Sequence, residues 1–170
     1  PFGTLQESAS IGIIDDFGLA PVHFTEKRWR KKSTEIHFER GNIGQIRFSA
    51  APQTYRLQGG EQDRTSVLWQ LVAQARSNPE KFVPQSEWDF FVAGRRDAEP
   101  WIFRVQERAS INTPLGKLAS VHLVRKPPPD SQDQQLEIWL APGHGWYPVR
   151  LRYADADGDS DLLVGFTPSP

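Results

Sequence analysis

Alternation of apolar and polar residues over short runs, joined by turns too brief for a crossover, constrains this chain more than any other feature. Residues 22–29 (VHFTEKRW), 33–40 (STEIHFER) and 44–50 (GQIRFSA) read as half-buried strands, with hairpin turns at 31–32 and 40–42. Gly18 and Pro21 punctuate the chain ahead of the first of them. The pattern returns at 88–94, 99–111, 117–126, 136–141, 146–154 and 161–166. Strands linked this tightly pair antiparallel, because a parallel return needs about a dozen residues or more. One segment breaks the rhythm: Val67, Leu68, Leu71, Val72 and Ala75 recur at three- and four-residue spacing and form one apolar stripe. Asp63 or Thr65 can cap that helix and Asn78-Pro79 ends it, so the spacing predicts a helix near 63–77. The Pro-rich polar stretch 126–135 reads as an exposed hairpin loop. The expected architecture is mainly β: one domain over residues 1–170, a curled antiparallel sheet or half-barrel with one principal α-helix packed on it.

Composition narrows the function classes. A net charge of −1 gives no global field toward nucleic acid, so no nucleic-acid partner is expected. With no cysteine, disulfides, thiol catalysis and cysteine-ligated zinc are excluded. No apolar run approaches the roughly 18 residues of a membrane-spanning helix, so no transmembrane segment is expected. The chain has no methionine and opens without the basic, apolar and cleavage regions of an export signal, as a trimmed form would.

Each candidate site has a plain structural reading beside the chemical one. Asp155, Asp157, Asp159 and Asp161 alternate around Gly158, and converging carboxylates suit calcium. An EF-hand, however, needs glycine sixth and glutamate twelfth in its loop, and Phe166 stands twelfth from Asp155. Asp157-Gly158 between two strand patterns reads as a hairpin turn, with calcium as the alternative. The basic run 26–32 puts Arg28, Arg30 and Lys32 on one strand face with Trp29 on the other, a charged outer face rather than a phosphate site. His23 and His37 can face each other across the first hairpin, which reads as a plain cross-strand pair; His122 and His144 stand apart. Glu87 and Asp89 share a strand face about 7 Å apart, a spacing that many non-catalytic pairs also show. No Gly-x-Ser-x-Gly elbow is present, so no catalytic residue and no cofactor are expected. Large aromatics are the stronger lead. Trp69, Trp88, Phe90, Trp101, Phe103 and Trp139 exceed what one helix can cover and point to an apolar ligand site in the concave face.

Three stretches in order, EQDRTSVLWQL (61–71), INTPLGKLASVHLVR (111–125) and LEIWLAPGHGWYPVRLRYADADGDSDLLV (136–164), resemble domain-of-unknown-function family 3108 of bacterial envelopes. The opening FGLAPVHFTEKRWRKK resembles the first hairpins of that family, with His144 standing where the family more often has an acidic residue. The resemblance implies a Gram-negative periplasmic or envelope protein, here lacking one or two N-terminal strands, with no established activity and no catalytic residues to carry over. The resulting expectation is a non-enzymatic protein that binds a lipid, another apolar ligand or an envelope protein. A purely structural interaction module and a carboxylate-dependent hydrolase are the alternatives.

Overall fold

A computed structural model describes residues 6–28, 30, 32–42, 44–127, 135–155 and 158–163. Strands β1 (Gln6–Asp15), β2 (Gly18–Arg28), β3 (Thr34–Glu39), β4 (Gln45–Phe48) and β5 (Ala51–Arg56) form one sheet in sequence order, every pair antiparallel. The short β6 (Gln62–Asp63) leads into helix α1 (Ser66–Ser77), and a 3-10 turn follows at Pro79–Lys81. Strands β7 (Glu87–Ala93), β8 (Ala98–Thr113), β9 (Gly116–Arg125), β10 (Gln135–Ala141), β11 (Tyr147–Asp155) and β12 (Gly158–Leu163) complete the chain. The second sheet runs β12-β11-β10-β9-β8-β7-β6. The expected class is the one observed: mainly β, antiparallel and curled, with one principal helix. One pairing departs from it, since Gln62 and Asp63 lie parallel to Val92 and Ala93. Two residues suffice there because α1 supplies the crossover that a parallel return requires.

The chain clusters into two compact units, Pro1–Gln70 with Phe90–Pro100, and Leu71–Asp89 with Trp101–Pro170. In the first unit, period two works as the sequence suggests. Phe24, Ile36, Phe38, Ile46 and Phe48 turn inward from β2, β3 and β4, joined by Ala93 and Ala98. Tyr55 and Phe91 close over them, Tyr55 meeting Phe48 edge-on at 5.9 Å. In the second unit Leu71, Val72 and Ala75 bury the helix stripe, while Phe103, Val105, Leu123, Ile138 and Leu140 are sheet core. Trp139, Ala141 and Val149 form a smaller cluster flanked by Ile111 and Leu118.

Two local readings are corrected. The first strand was expected at residue 22, yet β2 starts at Gly18 and runs through Pro21. A register shift between Ile11 and Gly12 puts Gly12 opposite Pro21, and a proline without an N–H is tolerated at such an irregularity. Arg28 does not join a charged outer face. It follows the parity of Phe24 and Glu26, and its Nε donates to the buried Glu26 carboxylate at 2.9 Å. Arg95 stands 3.6 Å from the same oxygen, an ion-pair rather than a hydrogen-bond distance. A carboxylate inside the sheet face recruits both cations, because a buried charge left unpaired costs several kcal/mol. Trp29 and Lys31 lie outside the described residues.

The helix cap is also the anchor of the first unit. Asp63 Oδ1 accepts from the amides of Thr65 and Ser66, both at 2.8 Å, while the Asp63 amide donates to Ser66 Oγ at 2.9 Å. Its other oxygen accepts from Ser10 Oγ on β1. Burial raises the Asp63 carboxyl above the ordinary aspartate range, opposed by the bonds from Ser10, Ser66 and Thr65. The folded chain therefore holds that proton more tightly than the unfolded chain does. The stability it contributes is full below the ordinary aspartate range and is lost as pH rises through the raised value. Asp63→Asn keeps the Oδ1 acceptor, whereas Asp63→Ala leaves buried donors unpaired and costs about 2–3 kcal/mol in urea unfolding. Between about pH 7 and about pH 4, the stability of the natural chain rises relative to Asp63→Asn.

Candidate functional site

The β1–β2 hairpin of the first unit combines an apolar outer surface with a polar fastening. Its apolar side chains turn to solvent: Ile11 is 67% exposed, Ile14 79% and Phe17 at the tip 57%, with Ile13 and Val22 beside them. β1 ends the five-stranded sheet, so one side of its backbone has no neighbouring strand among the described residues. Residues 8–14 carry no charge and no proline, the two devices that most often blunt an edge strand.

Three polar side chains hold this hairpin in place. Gln70, on α1, accepts from the Leu19 amide at 2.8 Å and donates to the Phe17 carbonyl at 2.9 Å, spanning the turn. Gln62 Nε2 donates to the Leu19 carbonyl at 2.6 Å, and Asp63 holds Ser10. Behind them, Glu61 Oε1 accepts the amides of Gln58 and Gly59, and Arg40 reaches the Glu61 carbonyl and the Pro21 carbonyl. The Phe17 ring lies so close to Gly59 that a Cβ there would meet it at 2.4 Å, and Gly59 has φ +110°. Only glycine fits both demands.

The aromatics proposed from sequence fall in two places. Trp69 and Phe90 belong to the first unit, Trp69 being 44% exposed. Trp88, Trp101, Phe103 and Trp139 belong to the second, where each has a ring or guanidinium neighbour. Trp88 stacks on Phe82 at 4.3 Å, and Phe82 also meets Trp146. The Arg125 guanidinium sits 4.2 Å over Trp101, which meets Phe103 edge-on at 6.2 Å. Trp139 stacks on His122 at 4.2 Å with 3° between the planes, and Arg150 lies 4.7 Å from its centroid. A shallow depression of about 200 Å3 in this unit is lined by Arg108, Ala109, Ser110, Ala119, Ser120, Val121 and Pro142, none of them aromatic.

Titratable groups are paired in the same manner. His122 Nε2 is 2.9 Å from Glu137, which Arg152 also approaches. Arg104 Nε donates to Glu87 at 2.8 Å, while Asp89 is exposed. In the aspartate stretch Asp155 pairs with Gly158 across β11 and β12, which is hairpin register. Arg150 binds the Asp161 carboxylate through two hydrogen bonds, and these hold it below the ordinary aspartate range. Asp159 stands on β12 opposite Ala154, and Asp157 lies outside the described residues. His144 is exposed in the 3-10 turn Pro142–His144.

The family described as a protein of unknown function, DUF3108, matches residues 3–164. The chain belongs to the DUF3108 family. No curated protein and no solved structure matches it. For this DUF3108 chain the hairpin fastening was only partly legible. The match of 61–71 to the family was visible, but nothing in EQDR reveals that Glu61, Gln62 and Asp63 are all buried. Removing the Gln70 clasp with Gln70→Ala costs about 1–2 kcal/mol and releases the Leu19 amide. Hydrogen exchange at Leu19 then speeds by about tenfold or more while the β3–β4 amides stay protected.

Proposed function

We propose that this DUF3108 chain is a non-enzymatic binding module of the Gram-negative envelope, and that its partner is another polypeptide docked as an extended strand along β1. The observation that carries this reading is the β1 edge, uncharged over residues 8–14 and ringed by exposed Ile11, Ile13, Ile14 and Phe17. Strand addition supplies affinity through main-chain bonds and specificity through alternate side chains. The polar fastening at Gln70, Gln62 and Asp63 supports it, because an edge held in place loses little conformational freedom when a partner pairs with it. Placement in the periplasm or envelope rests on the resemblance of the sequence motifs.

Binding of a lipid or other apolar ligand is the second reading, favoured by the number of large rings. The stacking of Trp88, Trp101 and Trp139 on Phe82, Arg125 and His122 weighs against it, since those ring faces already have partners. For a hydrolase, Glu87 is already tied to Arg104.

A photo-crosslinking residue at position 14, introduced in host cells, tests the reading, with position 83 as the exposed apolar control. The expected result is one adduct from position 14 in the osmotic-shock fraction. The purified partner then binds the natural chain, and Ile11→Lys with Ile13→Lys weakens it about tenfold or more, near 1.4 kcal/mol. No adduct, or binding indifferent to both lysines, defeats strand addition. An environment-sensitive dye displaced by a long-chain lipid points to the second reading instead.

A further inference from the structure

The outward face of the first sheet carries a cluster that the β1 edge does not use. β2 and β3 pair His23 with His37 and Thr25 with Glu35, which places His23, Glu35 and His37 together on the face opposite Phe24 and Ile36. The imidazoles stack with centroids 4.5 Å apart and planes 14° from parallel. Glu35 Oε2 stands 3.3 Å from His37 Nε2 and 3.5 Å from His23 Nε2. One donor atom from each residue lies within 4.8 Å of the other two.

These separations have a chemical meaning. A tetrahedral ion with Zn–N and Zn–O bonds of about 2.0–2.2 Å sets its ligand atoms about 3.3–3.5 Å apart. The carboxylate oxygen already lies at that separation from both imidazole nitrogens. The two rings must open from their near-parallel stack so that both Nε2 lone pairs converge on one ion, and all three side chains are partly open to solvent, which leaves them room to do so. His23 Nε2 is shielded from water and has no hydrogen-bond partner, its Glu35 contact being of ion-pair length. A buried nitrogen without a partner is costly, and a bound cation would satisfy it. Arg47, opposite His37 on β4, is paired with Glu39 at 2.9 Å, so its charge is already balanced beside the cluster.

We propose that His23, Glu35 and His37 bind a single divalent ion of the late first transition row, Zn2+ or Cu2+. Two imidazoles and one carboxylate suit these borderline ions, whereas Mg2+ and Ca2+ prefer all-oxygen shells. Three protein ligands on a solvent-facing sheet leave the remaining coordination to water. His23 stands opposite Ile11 of the β1 edge, so the two sites are neighbours, yet neither reading needs the other.

Calorimetric titration of the whole chain with ZnCl2 after chelator treatment, alongside MgCl2, is the direct test. One equivalent of Zn2+ is expected to bind with Kd below about 10 µM, with no response to Mg2+. Glu35→Gln should weaken it about tenfold or more, His37→Gln should abolish it, and His144→Gln should leave it unchanged. Circular dichroism and melting of each variant separate lost ligation from lost folding. Electron paramagnetic resonance of the Cu2+-loaded natural chain needs no variant and should show two equatorial imidazole nitrogens. Failure to bind Zn2+ at that affinity, equal binding by His37→Gln, or fewer than two coordinating imidazoles overturns the proposal.

Discussion

The placement of the β1–β2 hairpin and the start of α1 depend on three consecutive buried polar residues, Glu61, Gln62 and Asp63. Burying a carboxylate or an amide without partners costs several kcal/mol, so these side chains must find donors and acceptors nearby. They find most of them in separate parts of the chain: Gln58 and Gly59 for Glu61 Oε1, Leu19 and Gly60 for Gln62 Nε2, Ser10 and the first turn of α1 for Asp63, while Gln62 Oε1 has no hydrogen-bond partner and Glu61 Oε2 has only Arg40 at 3.9 Å. Satisfying them fixes where the β1–β2 hairpin sits and where the helix begins. Polar bonds thus add to the packing of Ala20 and Phe24 in fastening the hairpin, while Ile11, Ile13 and Ile14 of its edge remain open to solvent.

The second unit solves the opposite problem. Its large rings are numerous, and each described tryptophan there is closed off by a specific neighbour: Phe82 for Trp88 and Trp146, Arg125 for Trp101, His122 and Arg150 for Trp139. Gly145 and Trp146 both adopt left-handed backbone, φ 63° and 61°, an unusual conformation for tryptophan. Its tilted contact with Phe82 and the hydrogen bond from its amide to the Ala141 carbonyl hold it there. Each of these tryptophans thus has at least one ring or guanidinium neighbour against it.

Much of the fold was legible because strands such as β3, β4 and β8 alternate in the expected rhythm. β1 escaped the same reading for a physical reason. Its first half, QESAS, has no apolar period, since Ser8 and Ser10 meet Thr65 and Asp63 by hydrogen bonds instead of packing. β5 escaped likewise, being short and largely exposed apart from Ala51 and Tyr55. The His23–His37 pairing was visible as a possibility. Glu35 was not singled out, although two residues from His37 on the same strand it shares the face of that pair. Arg28 misled because charge outweighed parity in the reading; the structure keeps the parity and supplies a buried partner.

The Gln70 clasp has a consequence for the order in which this chain assembles. Leu19 and Phe17 are joined to a residue 51 and 53 positions away, and Ser10 to one 53 away. Such contacts close long loops, whereas β2, β3 and β4 meet across short turns and can form first. The fastening of the β1–β2 hairpin to α1 and β6 is therefore among the last steps in the first unit. Until it is complete, the apolar edge and the buried acids are both exposed in a newly made chain, so the interval before docking is when it is most open to mispairing or to capture by a chaperone.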